Sequence, residues 1–408
     1  MRGLLGLSTA REREAARKYY FETLLAGAEK AHIFYRDNSK SEKSPFVEEL
    51  LFRLEAGGAD REKLEDKVFF DLTFKNKEPE AVPKNKWALE KLSAMSFSPS
   101  SLNHYLACPL RFYYIKVLGL QELEEVSEEI SRASIGNIVH KALELYFLRG
   151  DRLGRPFRPS EFQEENALLL DCLKAAMAYH GLTDTDKGYG YVMGRQLQKR
   201  LEDILRFHIA RLSGFTPLAV EAALSVEINL PSGKKARLAG KADRIDLRPA
   251  AEGEAQGDKI VIVDYKTGSS AKVPSWHSFD IDKRADWTKT LRSVQLPAYV
   301  LMALEGKIEP AEGLKDHVTA ALKGRGVEDL DACLMLLGRQ EIIEEGLYKP
   351  YKHQPPAVPE TFRKYRDAIG ILVDEILDPA LPFAPTRQED DCRHCPFKVM
   401  CGRQWVKE

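Results

Sequence analysis

The segment KIVIVDYKTG, residues 259–268, decides the fold of this 408-residue chain. Its β-branched run at 260–263 favours a short strand. Side chains on a strand alternate between its two faces, so Asp264 and Lys266 point one way and Tyr265 points the other. A carboxylate beside an amine at the end of an apolar strand is either a surface salt bridge or part of a functional site. The surrounding sequence has to discriminate between the two.

The segments around this strand predict a mixed sheet. Leu218–Leu230 and Ala236–Leu247 are predicted strands, and Pro231-Ser232-Gly233 between them predicts a hairpin turn. Helical patterns precede and follow the strands, in residues 102–120 with an interruption at Pro109, Ile135–Leu148, 161–213, Thr288–Leu304 and Thr361–Leu377. Helices, then three strands, then helices predict an α/β fold with a mixed sheet core flanked by many helices.

Composition places the chain among soluble globular proteins. Hydrophobic residues make up 44% and charged residues 30%, and the net charge of −1 does not indicate a polyanionic partner. No apolar run approaches the ~20 residues that span a bilayer, and the N-terminus lacks a secretory signal, so we expect a cytoplasmic protein without a membrane partner. Two basic clusters are either local phosphate-binding patches or solvated faces: Lys234, Lys235, Arg237 and Lys241, and Arg195, Lys199 and Arg200.

A second carboxylate is expected near Asp264. The strand before it carries Gly240-Lys241-Ala242-Asp243, and antiparallel pairing would bring Asp243 close to Asp264. Two carboxylates on neighbouring strands repel each other unless a cation lies between them, and hard cations such as Mg²⁺ take oxygen ligands of this kind. The alternative is that Asp243 is a turn residue or a salt-bridge partner of Arg244.

Two further pairs share the spacing of four residues on a helix. Gly136 and His140 lie on an otherwise apolar helical face, where a histidine is either a core residue or a ligand. Gln295 and Tyr299 lie on one face of the segment SVQLPAYVLMAL. A buried glutamine and tyrosine need hydrogen-bond partners, which the edge of a catalytic sheet would supply.

In this order, the motifs resemble the RecB-like branch of the PD-(D/E)XK nuclease superfamily. Its pattern is Gly-x-x-x-His, Gly-x-x-Asp, Asp-x-Lys and Gln-x-x-x-Tyr, and the chain contains all four: Gly136 with His140, Gly240 with Asp243, Asp264 with Lys266, and Gln295 with Tyr299. The resemblance implies a restriction-endonuclease-like core and a metal-dependent deoxyribonuclease.

The resemblance also implies roles for individual residues. Asp243 and Asp264 would bind catalytic Mg²⁺ or Mn²⁺ with His140 and the main-chain carbonyl of Tyr265. Lys266 would orient or activate the attacking water and stabilise the developing negative charge.

Three more residues receive supporting roles from the same resemblance. Gln295 would hold the lysine and the edge of the active site, and Tyr299 would lie near the DNA strand. Glu221 is either a supporting acid or a surface glutamate. The number of metal ions is left open.

Four of the six cysteines form a second candidate site. Cys392, Cys395 and Cys401 lie near the C-terminus and Cys108 lies far upstream, whereas Cys172 and Cys333 are in apolar patterns typical of core residues. Four thiolates suit an iron–sulfur cluster or Zn²⁺. The division into one and three resembles the [4Fe–4S] staple of AddB-type subunits, which implies a structural cluster tying Cys108 to the C-terminal cysteines.

The first ninety residues are predicted to be a separate segment. Residues 1–90 resemble the end of a helicase-like region, on the basis of an expected strand in AHIFYRD and a helix start at SPFVEELL, and residues 91–408 would form the nuclease domain. No Gly-x₄-Gly-Lys-Ser/Thr loop is present in the sequence, so ATP hydrolysis is not expected.

The function expected from these resemblances is hydrolysis of DNA in recombinational repair, as an exonuclease acting on single-stranded ends, with a helicase subunit as a possible partner. Arg111-Phe112-Tyr113-Tyr114 would either contribute to a groove for single strands or pack in the core. The alternatives are a site-specific endonuclease of the same fold and a non-catalytic DNA-binding scaffold subunit of a helicase complex. Strand polarity is expected to be 5′→3′.

Overall fold

A computed structural model describes residues 8–35, 41–66, 78–121, 132–149, 152–157, 162–182, 187–211, 214–250, 257–310 and 315–404. These residues form two compact units. The first contains residues 8–35 and 41–66 together with 187–192, and the second contains the remaining described residues. No helix in the described part of the chain is both long enough and apolar enough to span a membrane.

The first unit contains three helices, α1 (Ala10–Ala26), α2 (Pro45–Ala56) and α3 (Arg61–Leu64). Helix α1 begins at a capping box in which Thr9 and Glu12 exchange side-chain and main-chain hydrogen bonds. Helix α2 starts where the SPFVEELL motif predicts a helix. The expected strand in AHIFYRD is absent from residues 31–35, and residues 36–37 lie outside the described residues.

The second unit is built on one six-stranded sheet. The strands are β1 (Thr216–Asn229), β2 (Lys235–Arg248), β3 (Lys259–Lys266), β4 (Lys307–Glu309), β5 (Leu330–Leu336) and β6 (Ile343–Gly346). Their order is β4-β1-β2-β3-β5-β6. Strands β3 and β5 pair in parallel, and the other neighbours are antiparallel. The predicted α/β fold with a mixed sheet is therefore confirmed.

Ten helices of the described residues accompany the sheet: α4 (Lys86–Ser93), α5 (Pro99–Ala107), α6 (Pro109–Phe112), α7 (Arg132–Leu148), α8 (Phe162–Tyr179), α9 (Gly188–Arg211), α10 (Trp287–Thr290), α11 (Gln295–Glu305), α12 (Lys315–Leu322) and α13 (Val358–Leu377). The helix expected around Pro109 is divided there, because proline cannot donate the main-chain bond that a continuous helix needs. The helix expected over Thr288–Leu304 is interrupted by a turn at residues 291–294.

The two faces of the sheet are covered differently. Helices α5, α11 and α13 pack together over one face, and their apolar residues continue into the main core. Helix α7 packs against β1, and its Phe147 lies against Arg244, a residue of β2 that the main core does not include. Helix α4 also packs into the second unit through Ala88 and Leu92, both 1% exposed. The division of the chain at residue 90 remains a prediction.

Candidate metal-binding and catalytic site

The site begins where the pairing of β1 with β2 is interrupted. Glu221 stands directly opposite Asp243, because the residues on either side of both are paired in register. The φ angle of Glu221 is +50°, which removes it from the regular ladder. Directly opposed residues of antiparallel strands share a face, and like charges in that arrangement are destabilising. A bound cation would relieve this repulsion.

The pairing of β2 with β3 ends at the neighbouring position. Arg244 with Val263 is the last pair in that direction, so Asp243 and Asp264 face each other one step beyond it. Asp243 Oδ2 accepts a hydrogen bond of 2.6 Å from the main-chain N–H of Tyr265. The Asp243 carboxylate thus accepts the hydrogen bond that a main-chain carbonyl would accept in a continuous ladder. This bond keeps Asp243 close to Asp264 where the two strands separate.

His140 approaches this opening from α7. Its Nδ1 lies 3.3 Å from Asp243 Oδ1, and its Nε2 lies 3.2 Å from the Tyr265 carbonyl oxygen. One ligand atom each from His140, Glu221 and Asp243 lie within 4.8 Å of one another. Two carboxylates and one imidazole beside a carbonyl form an oxygen-rich donor set that fits a divalent cation.

The charge of this donor set is visible in the pKa of His140. Burial lowers the pKa of the imidazole, but the hydrogen bond to Asp243 and the negative charges of Asp243, Asp264 and Glu221 outweigh it and raise the pKa above its ordinary value. The site therefore favours positive charge.

Both motif glycines lie where an added Cβ would contact a neighbouring element, closely in the case of Gly240. A Cβ on Gly136 would lie 3.4 Å from Thr267 Oγ1, at the end of β3. A Cβ on Gly240 would lie 3.1 Å from Met302 Cε of α11. The first glycine lets α7 carry His140 close to the strand that holds Asp264, and the second lets α11 approach β2.

Asp264 is held from three directions. Lys266 Nζ lies 2.6 Å from its Oδ2, Gln295 Nε2 donates to its Oδ1 at 2.7 Å, and the Tyr299 hydroxyl lies 3.0 Å from Oδ1. Burial raises the pKa of Asp264 and the negative charge of Asp243 raises it further, whereas Lys266 opposes both. Additional positive charge nearby would therefore stabilise the ionised form of Asp264.

The structure brings most of the expected residues together and changes some of their partners. Gln295 contacts Asp264 and Tyr299, whereas the resemblance had implied a contact with Lys266. Tyr299 is 4% exposed, so its hydroxyl supports Asp264 from within the core, in contrast to the expected position near a DNA strand. Glu221, expected as either a supporting acid or a surface glutamate, stands in the compact donor set, which does not include Asp264.

The alternative partner considered for Asp243 lies elsewhere. Arg244 points to the opposite face of β2, where it makes a doubly hydrogen-bonded ion pair with Asp246 at 2.7 and 2.9 Å. Its Nη1 donates to the Tyr265 hydroxyl at 2.7 Å. Because side chains alternate between the two faces of a strand, the sequence already indicated that Asp243 and Arg244 point in opposite directions.

The four cysteines Cys108, Cys392, Cys395 and Cys401 line one small cavity in the second unit. The Thr386 N–H lies 3.4 Å from Cys108 Sγ, and Arg403 Nη1 lies 3.3 Å from Cys392 Sγ. Burial, with the neighbouring thiols as a further cause, raises the pKa of Cys108 and of Cys401. A positively charged group that binds these sulfurs would stabilise their thiolate form.

Comparison with known proteins agrees with the fold and the order of motifs. The family model of the PD-(D/E)XK nuclease superfamily matches residues 96–402, which hold the whole sheet and both candidate sites. The chain belongs to this superfamily. Nucleases of this class use divalent metal ions.

Curated relatives share one name, that of the B-type subunit of an ATP-dependent helicase/deoxyribonuclease. The protein from Moorella thermoacetica is 26% identical over 364 residues, which cover 76% of this chain and 30% of the relative. The protein from Symbiobacterium thermophilum is 24% identical over 359 residues, covering 74% and 29%. The protein from Lysinibacillus sphaericus is 26% identical over 275 residues, covering 62% and 22%. The chain thus spans less than a third of the length of these relatives.

Proposed function

We propose that this chain is a divalent-metal-dependent deoxyribonuclease that degrades single-stranded DNA from an end during recombinational repair. The observation that carries the proposal is the opposition of Glu221 and Asp243 beside His140, one step from Asp264 and Lys266. Lys241 is ion-paired with Glu221 and Lys266 with Asp264, so a bound cation would add to the charge balance that these lysines begin. Lys266 is also placed to meet a phosphate.

His140, Asp243, Asp264 and the Tyr265 carbonyl would hold Mg²⁺ or Mn²⁺, with Glu221 as a further ligand. Such an ion, when bound, lowers the pKa of water and neutralises phosphate charge. Two of these groups are held in place by the chain itself, since Asp243 accepts from the Tyr265 N–H while His140 lies against the Tyr265 carbonyl.

The remaining residues orient the site and balance charge. Lys266, whose side chain is 36% exposed, can reach a phosphate while staying beside Asp264. Its ammonium group would stabilise the negative charge that develops on the phosphate oxygens. Gln295 and Tyr299 fix one oxygen of Asp264 and leave the other facing Lys266.

A structural [4Fe–4S] cluster on Cys108, Cys392, Cys395 and Cys401 is part of the proposal. In a tetrahedral zinc site with Zn–S bonds of ~2.3 Å, the sulfurs would lie about 3.8 Å apart. Among the residues that the structure describes, the cysteines do not form a group of three sulfurs within 4.8 Å. The wider spacing of the four around one cavity favours the larger cluster over a single zinc ion.

The DNA substrate and a helicase partner are supported by the name of the relatives, which are subunits of helicase/deoxyribonucleases. The test is to incubate the purified chain with Mg²⁺ or Mn²⁺ and end-labelled single-stranded DNA, with closed circles in parallel. Lys266→Met should lower the rate by about 10²–10³-fold, the size typical of losing one charge-stabilising group. Lys323→Met, at an exposed position directly after α12, is the matched control and should retain full activity.

Each outcome has a separate meaning. Loss of linear strands alone, abolished by Lys266→Met, supports the exonuclease. Cutting of circles indicates the endonuclease alternative. A folded chain that cuts neither substrate in the presence of either metal contradicts the proposal and favours the scaffold alternative.

A further inference from the structure

An open groove of about 320 Å³ adjoins the proposed active site. Lys266 and Gln295 are among its lining residues. Most of the others come from α5, from residues 270–272 after β3, and from the turn between α10 and α11, and single residues come from α6, α10, β5 and the C-terminal segment. None of the sequence motifs includes the side chains of that turn or of residues 270–272.

The lining of this groove is strongly cationic. Four of its described side chains are positively charged and one is a carboxylate: Arg111, Lys266, Lys272 and Arg292, against Asp391. Lys272 and Arg292 are exposed, and neither forms an ion pair with another described residue. The Nε of Arg111 is buried without a hydrogen-bond partner among the described residues. Because cations outnumber carboxylates among the described lining residues, the excess of positive charge in this cleft would attract a polyanion.

The turn at residues 291–294 is built to present one of these cations. Leu291 and Val294 are fully buried, whereas Arg292 between them is exposed and has a φ angle of +59°. Asn103 of α5 secures the turn, since its Oδ1 accepts from the Val294 N–H at 2.8 Å and its Nδ2 donates to Ser293 Oγ at 3.0 Å. A long charged side chain in this strained conformation, held by the half-buried amide of Asn103, is typical of a functional position.

We propose that this groove binds the phosphodiester backbone of a single DNA strand next to the bond that is cleaved, with Arg292 and Lys272 as phosphate contacts. Lys266 and Gln295 are part of the lining, so a strand whose scissile phosphate meets Lys266 would continue along these cations. This inference rests on the proposed function, because it names the substrate contacts of the same site.

The experiment measures binding without catalysis. Fluorescence anisotropy of a labelled oligothymidine strand is recorded with the full chain in EDTA over a series of salt concentrations. Each phosphate contact contributes ~0.7 to the slope of log K against log salt for single strands. The double variant Lys272→Ala/Arg292→Ala should therefore lower the magnitude of the slope by about 1.4.

Two further variants make the result specific. Lys307→Ala/Lys323→Ala removes the same charge from two exposed positions outside the groove lining and should leave the slope unchanged. Arg292→Gly relaxes the left-handed backbone, so its melting temperature should equal or exceed that of the wild type while the slope still falls by about 0.7. If Arg292 had a purely structural role, the glycine variant would not lower the salt slope while keeping the wild-type melting temperature.

A wild-type slope in the groove variants, or an equal loss in the control, overturns the inference. The failure of the proposed function is measured separately, as the absence of metal-dependent cleavage by the wild-type chain. Binding in EDTA does not depend on that outcome.

Discussion

Arg244 forms the centre of a polar cluster buried behind the candidate site. Its guanidinium is 0% exposed and lies over the rings of Phe147 and Phe215 at 4.9 and 5.0 Å. It is hydrogen-bonded to Asp246, also 0% exposed, and Nη1 lies 3.1 Å from His208 Nε2. Methionine at this position would preserve most of the apolar contact with the two rings. It would remove every hydrogen bond and ion pair that the guanidinium makes with these residues.

The expected loss follows from what the substitution leaves behind. Removing one partner of a buried ion pair costs about 3–5 kcal/mol, because the other charge stays buried without compensation. Asp246 would keep Arg248, whose Nη2 lies 3.2 Å from its Oδ2. We therefore expect Arg244→Met to lower the free energy of unfolding by about 3 kcal/mol, the lower end of that range.

The assay is urea unfolding followed by tryptophan fluorescence, with the free energy obtained by linear extrapolation. Fluorescence reports on the second unit, since Trp87, Trp276 and Trp287 all belong to it and Trp287 is 0% exposed. The control is the double variant Arg244→Met/Asp246→Leu, which removes both charges and should regain about 2 kcal/mol or more. If the double variant is as unstable as the sum of the two single variants, burial of an uncompensated charge is not the cause.

Three other predictions concern separate parts of the molecule. Tyr299→Phe removes one of the groups that hold Asp264 and should lower metal affinity or the cleavage rate by about 10-fold without unfolding the chain; a Mn²⁺ titration and rate equal to wild type would contradict the supporting role. Burial and the neighbouring arginines hold the pKa of His208 well below its ordinary value of 6.5. The unfolded chain therefore binds the extra proton, so this contribution to stability is complete above pH 6.5 and is lost as the pH falls, by up to about 1.4 kcal/mol per pH unit. His208→Gln should flatten that dependence in unfolding curves measured from pH 7 downwards. Cys401→Ser should reduce iron from about four atoms per anaerobically purified chain to almost none, whereas one zinc ion per wild-type chain would overturn the cluster assignment.

The sequence predicted those features that depend on local periodicity. Alternation along KIVIVDYK placed Asp264 and Lys266 on one face, and the expected antiparallel pairing of this strand with the preceding one placed Asp243 alongside. The same alternation accounts for Arg244, which shares a face with Tyr265 and therefore cannot pair with Asp243. The alternative of a salt bridge between Asp243 and Arg244 is excluded by the geometry of a strand, in which neighbouring side chains point to opposite faces.

Features that depend on distant packing were not predictable in this way. The turn at residues 291–294 forms because Asn103, almost two hundred positions away, bonds its main-chain and side-chain groups. The role of Gln295 also depends on that turn, since α11 begins directly after it and points the amide at Asp264. Periodicity within the segment predicts one continuous helix, because it contains no information about the partner.

Backbone strain connects the donor set with the groove. Among the described residues, the non-glycine positions with positive φ include Glu221, at +50°, and Arg292, at +59°. Glycine would adopt either conformation without steric cost, whereas a larger residue costs about 1–3 kcal/mol. The chain nevertheless has a carboxylate at the position in the donor set and a guanidinium at the position in the groove. If the first meets a cation and the second meets a phosphate, both charges are used for binding, and that binding explains why neither position is glycine.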